Sequence, residues 1–208
     1  MDINTVKEIV SRYYDHHDSK YVFGGRKSNV DYFYNTERWD WYDGGGLDLC
    51  VLSAAEVDRF GNTNVTKFGR IVGPGGYINI ATGAIEAIFC GTLTAGGLKI
   101  ETGDGSLKIV KEGSKKKYVK DVEQITYSGK QAVRRGQKVT YITERAVFRL
   151  RDDDTVELVE IAPGIDVHKQ VLDLIDFDVR VADDLKVMDS RIFTDEPMGH
   201  RPHTGSRS

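Results

Sequence analysis

The sequence predicts an α/β fold, a mixed sheet with flanking helices. Three observations carry that prediction. Two near-continuous apolar runs, LDLCVLSAAEVD (47–58) and AIEAIFCGTL (84–93), have the pattern of strands covered on both faces. Between them a glycine-rich loop leads into INIATGA (78–84), a candidate helical turn capped by Gly83. Further on, KVTYITERAVFRLR (138–151) and TVELVEIA (155–162) flank Asp152-Asp153-Asp154, as the arms of a β-hairpin flank an acidic turn.

Each element can be justified in order. INTVKEIVSRYY (3–14) places Val6, Ile9, Val10, Tyr13 and Tyr14 at helical spacing and predicts a short amphipathic helix. Residues 15–46 are aromatic, polar and irregular, so 1–40 form a poorly defined N-terminal segment. From Leu47 the pattern sharpens, and FGNT (60–63) is a turn. LKIET, SLKIV and KKYVK alternate with a period near two and are joined by glycine turns, which predicts a more exposed antiparallel sheet. GIDVHKQVLDLI (164–175) reads as an amphipathic helix with Ile165, Val167, Val171, Leu172 and Ile175 inward. VRVADDLKVM (179–188) is a last strand-like segment. No boundary stands out within 41–199, and the polar tail 200–208 is expected to be disordered.

Composition excludes several functions. A formal charge of −3, from 29 basic and 32 acidic residues, gives no electrostatic footprint for nucleic acid or anionic lipid. No apolar run approaches the roughly 20 residues that span a bilayer. MDINTVKEIV lacks a basic region followed by an apolar stretch, so no signal peptide is expected and the cytoplasm is the default. Cys50 and Cys90 sit far apart in apolar runs with no CxxC spacing and read as buried free thiols.

Glycine is the outlier, with 22 residues gathered in pairs and triplets at strand ends. In RIVGPGGYIN (70–79), Gly73, Gly75 and Gly76 present several backbone N–H groups to one point, which suits a phosphate or a developing oxyanion. Tight turns without a ligand are the alternative. The spacing is neither a dinucleotide-binding fingerprint nor a P-loop. YDGGGLD (42–48) and TLTAGGLKIE (92–101) repeat the theme. KEGSKKKYVK (111–120) is either a dock for a nucleotide-type phosphate or a solvated hairpin edge protected by lysines. His16 and His17 are adjacent, and His168, His200 and His203 are scattered, so no metal site is expected. No serine elbow marks a catalytic triad.

Four stretches together resemble one family. WYDGGGLDLCVLSAAEVDRFGNTNVTKFGR, VGPGGYINIATGAIEAIFCGTLTAGGLKI, ITYSGKQAVRRG and ITERAVFRL with VELVEIAPGIDV follow the order of the C-terminal (β) half of family I coenzyme A transferases. The propionate/acetate and 3-oxoacid types are the most similar, and the YDGGG form leans toward the first. The resemblance covers about 41–199. It implies an α/β fold of two related halves with the active site between them. It also implies exchange of CoA between a short-chain acyl-CoA and a carboxylic acid, through an acyl-glutamyl anhydride and a glutamyl-CoA thioester. Coenzyme A is then a substrate, and no tightly bound cofactor is expected. The expected partners are an α-type half or subunit and further copies of the chain. By match, the Gly75 and Gly76 amides become oxyanion or thioester donors. Gly73, Gly44, Gly45 and Gly46 become substrate-binding glycine walls.

One departure bears on catalysis. In the family a glutamate lies in a Glu-x-Gly-x-x-Gly-type motif upstream of the Tyr-Asp-Gly-Gly-Gly stretch, and this chain has no match to it. Glu8 lies near the expected distance but within the glycine-free, helical VKEIVSRYY. Glu37, Glu56, Glu86 and Glu144 fall at other positions. The alternative expectation is therefore a non-catalytic CoA- or nucleotide-binding, or structural, subunit of such an assembly.

Overall fold

The computed structural model describes Asp40 and residues 42–198. The helix expected over 3–14, His16, His17, Glu8, Glu37 and the tail 200–208 lie outside the described residues. The chain enters the sheet through β1 (Leu47–Ser53), then makes two small hairpins, β2 (Glu56–Val57) with β3 (Thr63–Asn64) and β4 (Lys67–Phe68) with β5 (Arg70–Ile71). Helix α1 (Tyr77–Gly83) brings it back to the start of β6 (Ala84–Cys90), which runs parallel to β1. α1 buries Tyr77 and Ala81 and ends where Ala84 turns extended, at ψ 150°.

After β6, β7 (Thr94–Ala95), the hairpin β8 (Lys99–Gly103) with β9 (Ser106–Lys111), and β10 (Lys115–Lys116) form an outlying layer. Helix α2 (Gly129–Arg134) then starts at Ser128, whose hydroxyl accepts from Gln131 N at 3.4 Å. It leads to β11 (Lys138–Ile142), β12 (Ala146–Leu150) and β13 (Val156–Ile161). A short α3 (Val167–Gln170) and a 3-10 turn, Leu172–Leu174, precede β14 (Arg180–Val187). The six-stranded sheet has the order β1-β6-β11-β12-β13-β14. Its first three strands and the β13–β14 pair are parallel, while β11, β12 and β13 alternate, so the sheet is mixed as expected.

Phe89 anchors the core. It packs against Tyr77, Tyr127 and Tyr141 with ring centroids 5.8, 5.0 and 5.6 Å away. Period-two alternation puts Cys50, Ala87, Phe89, Val139 and Tyr141 in the buried cluster. A second, smaller cluster of Leu107, Ala162, Met188 and Phe193 holds the β8–β9 hairpin. Among the described residues no helix is long and apolar enough to cross a membrane.

Three expectations change in detail. The 138–151 run is two strands, because Thr143 closes a tight turn: its hydroxyl and its N–H both bond Ala146 O, at 2.9 and 2.8 Å. The 164–175 helix is broken at Val171, which sits at φ −129°, ψ −67° with its side chain fully buried, so tertiary packing overrides the helical period. KKYVK contributes only the end of β10, since Tyr118 leaves the ladder to bridge Val57.

Candidate active site

The loop Gly73–Gly76 joins the second small hairpin to α1. It therefore lies on the flank the chain reaches after leaving β1, toward the carboxyl ends of the parallel strands, where open α/β sheets bind ligands. Its fixings come from both sides. Thr66 O accepts from Val72 N at 2.7 Å and Gly73 N at 3.3 Å. Tyr77 N donates back to Pro74 O at 3.1 Å, and the Tyr77 hydroxyl pairs with Thr63 Oγ1 at 2.8 Å. Thr66 Oγ1 in turn pairs with Thr126 Oγ1 at 2.7 Å.

Asn64, fully buried, braces this approach. Its carbonyl accepts from Thr66 N (2.9 Å) and Lys67 N (3.1 Å), while its amide donates to Glu56 Oε2 and Lys67 O, each at 2.7 Å. Gly75 sits at φ +54°, a conformation costly to residues with a Cβ, and both Gly73 and Gly75 are exposed. Among the described residues, neither the Gly75 nor the Gly76 N–H has a protein acceptor. Two adjacent donors on an anchored backbone, Gly75 exposed and Gly76 half-buried, can meet one anionic oxygen.

Gly73 differs from its neighbours, because its N–H is already turned to Thr66 O. Gly44, Gly45 and Gly46 precede β1. Gly44 N donates to Asp40 O at 2.8 Å and Gly45 N to Tyr42 O at 3.2 Å, closing a turn beside Gly83. The triplet thus adjoins the far end of α1, roughly 10 Å along a seven-residue helix from the loop. Asp43 reaches back along that flank to Asn79 Nδ2 at 2.8 Å. The structure puts both glycine groups on one flank but does not converge them on one point.

Several of the described glutamates are engaged elsewhere. Glu144 is 2% exposed, holds Arg145 Nε at 2.5 Å and accepts from Leu93 N at 2.9 Å. Glu56 accepts from Asn64 Nδ2 and from Glu123 N, at 2.7 and 3.1 Å. Glu86 lies near the start of β6. Glu123, which sequence reasoning passes over, binds Gly69 N at 2.9 and 3.1 Å and Lys67 at 3.4 Å. No group of three metal-ligating side chains occurs among the described residues. Burial pushes the Cys50 thiol up to about 12 and the Cys90 thiol up to about 11, which removes both as nucleophiles near neutral pH.

Sequence reasoning found the loop but missed what fixes it. Thr66 acts through its carbonyl, which no side-chain pattern reveals. The Gly61-Asn62-Thr63-Asn64 turn was the available signal for Asn64.

No family model matches the chain. Among curated proteins, it is 53% identical over 165 residues to an acetate CoA-transferase, YdiF, of Escherichia coli O157:H7, covering 79% of this chain and 31% of the relative. It is 43% identical over 190 residues to a caffeate CoA-transferase of Acetobacterium woodii, covering 84% and 36%. The crystal structure of the E. coli O157:H7 acyl-CoA transferase apoenzyme superposes with a TM-score of 0.80 at 49% identity, over 86% of this chain and 35% of that one. The chain thus spans about a third of the length of the curated relatives it matches.

Proposed function

We propose that this chain, a member of the family I coenzyme A transferases, forms part of the β half of such an enzyme and supplies the oxyanion-stabilising wall of a short-chain acyl-CoA:carboxylate CoA-transferase. The single observation that carries this reading is the pair of unpartnered, adjacent Gly75 and Gly76 amides on a backbone pinned by Thr66 and Tyr77. A carboxylate that attacks a thioester carbonyl makes a tetrahedral intermediate with a full negative charge on oxygen. Two N–H donors held in place stabilise that charge without reorganising, typically lowering the barrier by about 3 kcal/mol per donor. Collapse expels CoA thiolate and leaves an acyl-glutamyl anhydride. The thiolate then attacks the glutamyl carbonyl, releases the first acid and leaves a glutamyl-CoA thioester. The second acid reverses the sequence.

The nucleophilic glutamate comes, in this proposal, from outside the described residues. A complementary α-type half or subunit brings the acyl-CoA and this wall together, and further copies of the chain complete the assembly. Support lies in the apolar side chains beside the loop: Phe68, Ile71, Val72 and Ile78 are exposed, Ile71 by 75%, as an unfilled contact surface would be. The test is mass spectrometry after incubation with acyl-CoA and mild hydroxylamine or borohydride. A glutamate labelled in the assembled halves is expected. Absence of any labelled glutamate, with or without the complementary half, would refute transfer.

A further inference from the structure

The catalytic reading leaves two sequence features unused, the third glycine cluster and the lysine run, and the fold joins them. β7 pairs with β10, Lys115 opposite Ala95 and Lys116 opposite Thr94. The joint is close: Ser114 donates to Gly96 O through both its N–H (3.2 Å) and its hydroxyl (3.1 Å). Gly113 must be glycine, since a Cβ there would lie 2.5 Å from Ala95 O. The β8–β9 hairpin springs from the same joint, and its register sets Lys99 directly opposite Lys111. Like charges so placed repel. Lys111 Nζ lies beside Gly97, 3.8 Å from where a Cβ would stand, and Gly97 itself is exposed at φ +98°.

The acids nearby do not neutralise this cluster. Glu112 turns inward, bidentate on Arg145 at 2.7 and 3.0 Å and bonded to Thr94 Oγ1. Glu101 pairs with Lys108 at 3.6 Å, and Asp176 takes Lys116 at 2.7 Å. Lys99, Lys111 and Lys115 are all exposed, and none has an ion-pair partner among the described residues. The Gly97 N–H also has no acceptor there. A hairpin that only needed edge protection would be served by isolated lysines. Two opposed across a ladder, with a third at the joint and an open glycine between them, suit a multiply charged anion that bridges them.

We propose that Lys99, Lys111 and Lys115, gathered around the Gly96-Gly97 turn, bind phosphate-ester groups, which on the reading above are the phosphates of coenzyme A. Identification of the ligand rests on that reading, while the phosphate chemistry does not. The site lies beyond the end of β6, so it would hold the nucleotide end of the substrate while the thioester arm reaches elsewhere.

Calorimetric titration of the 208-residue chain tests the assignment with three probes: coenzyme A, 3′,5′-ADP, which has phosphates and no thiol arm, and pantetheine, which has the arm and no phosphate. In the double variant Lys99→Gln/Lys111→Gln, coenzyme A and 3′,5′-ADP should each bind about tenfold more weakly, and pantetheine should bind as before. Affinity of the unaltered chain for both phosphate probes should fall as salt rises. Lys111→Glu supplies a second readout: it converts a repelling pair into an attracting one, so the thermal midpoint should hold or rise while coenzyme A binding falls. Unchanged coenzyme A binding in the double variant would overturn the site and leave the transferase reading standing. Lysine-dependent binding of 3′,5′-ADP with no binding of coenzyme A would do the reverse. Equal losses for pantetheine and coenzyme A, or a chain that takes neither phosphate probe, would also overturn it.

Discussion

Replacing Arg145 with methionine removes the charge at the centre of a buried ionic cluster. The guanidinium is fully buried, Glu144 is 2% exposed and Glu112 is 32% exposed. Arg145 holds Glu144 at 2.5 Å, Glu112 at 2.7 and 3.0 Å, and the Gln170 carbonyl at 3.0 Å. Burial opposes its charge, but the hydrogen bonds and charges of Glu112 and Glu144 hold it more firmly protonated than usual. Methionine keeps most of the volume but takes the hydrogen-bonded cation away from Glu144, leaving it the Leu93 N–H and the charge of Lys117 nearby. Leaving a buried charge without its partner costs about 3–5 kcal/mol. At about 2–4 °C per kcal/mol for a domain of this size, the thermal midpoint should fall by roughly 6–20 °C. Glu112→Gln is the contrast, because that side chain is near solvent; about 1 kcal/mol is expected. Adding Glu144→Leu to Arg145→Met removes the stranded charge and should recover much of the loss. Thermal melts followed by circular dichroism at pH 7 decide it. A single Arg145→Met variant within 1 kcal/mol of the parent, or a double variant no better than the single, would refute charge burial as the origin of the cost.

The remaining consequences can be checked on the same material. Burial alone would raise the Glu112 carboxyl, but hydrogen bonds from Arg145 and Thr94 and the Arg145 charge hold it below its ordinary value of 4.5. Its contribution to stability is therefore present above pH 4.5 and lost as pH falls through the lower folded value, so the difference in thermal midpoint between the parent and Glu112→Gln should close on acidification below 4.5. Buried Cys50 and half-buried Cys90, with thiols pushed up to about 12 and about 11, should resist iodoacetamide at pH ~8 until the chain is unfolded; rapid native labelling of Cys50 would contradict its burial. Gly75→Ala has no atom within 4 Å to strike, so only its φ of +54° matters. The expected cost is about 1–2 kcal/mol of folding, with a larger loss of exchange in the assembled enzyme; parent-like exchange would sink the role given to that amide.

How legible this was follows from what kind of signal each part carries. β1 and β6 were readable from their long apolar runs, although neither is covered on both faces: β1 fully buries only Cys50, and Ile85 of β6 is 60% exposed. The β12–β13 hairpin was readable because an acidic triplet marks its turn. α2 was invisible as a helix: GKQAVR has only one turn and a half, and its start is set by Asn62 Oδ1, which accepts from Gly129 N at 3.0 Å across 67 residues. The broken 164–175 helix failed for the opposite reason, since its period was sound but Val171 was claimed by the core. The loop at Gly73–Gly76 stood out through its glycines. Which amide is free and which is consumed depends on the Thr66 carbonyl, and backbone acceptors leave no mark in a sequence. The splitting of charged residues into a dry cluster around Arg145 and an open one around Lys111 was equally hidden, because Lys111 and Glu112 are neighbours that point apart.

The surface beside the loop bears most directly on the proposed complementary half. Ile71 and Val72 are 75% and 55% exposed at the outer end of the second hairpin, with Phe68, Ile78 and Ile125 exposed at 40%, 43% and 57%. Scattered apolar residues are ordinary on a protein surface, but four of these five fall within eleven residues that include the proposed oxyanion donors. A wall that stabilises an oxyanion must also exclude water, and an open glycine loop cannot do so alone. If the complementary half closes over this collar, Ile71→Asp should weaken its binding by about 2 kcal/mol, roughly thirtyfold in Kd. The variant's own melting temperature should barely move, because the side chain is already in water. Co-expression with the complementary half, followed by interferometry on the purified partners, measures the first quantity, and a thermal melt of the chain alone measures the second. An unchanged Kd would move the interface elsewhere. A collapse of the lone chain's stability would instead mean that Ile71 packs inward, and the collar would no longer be a contact surface.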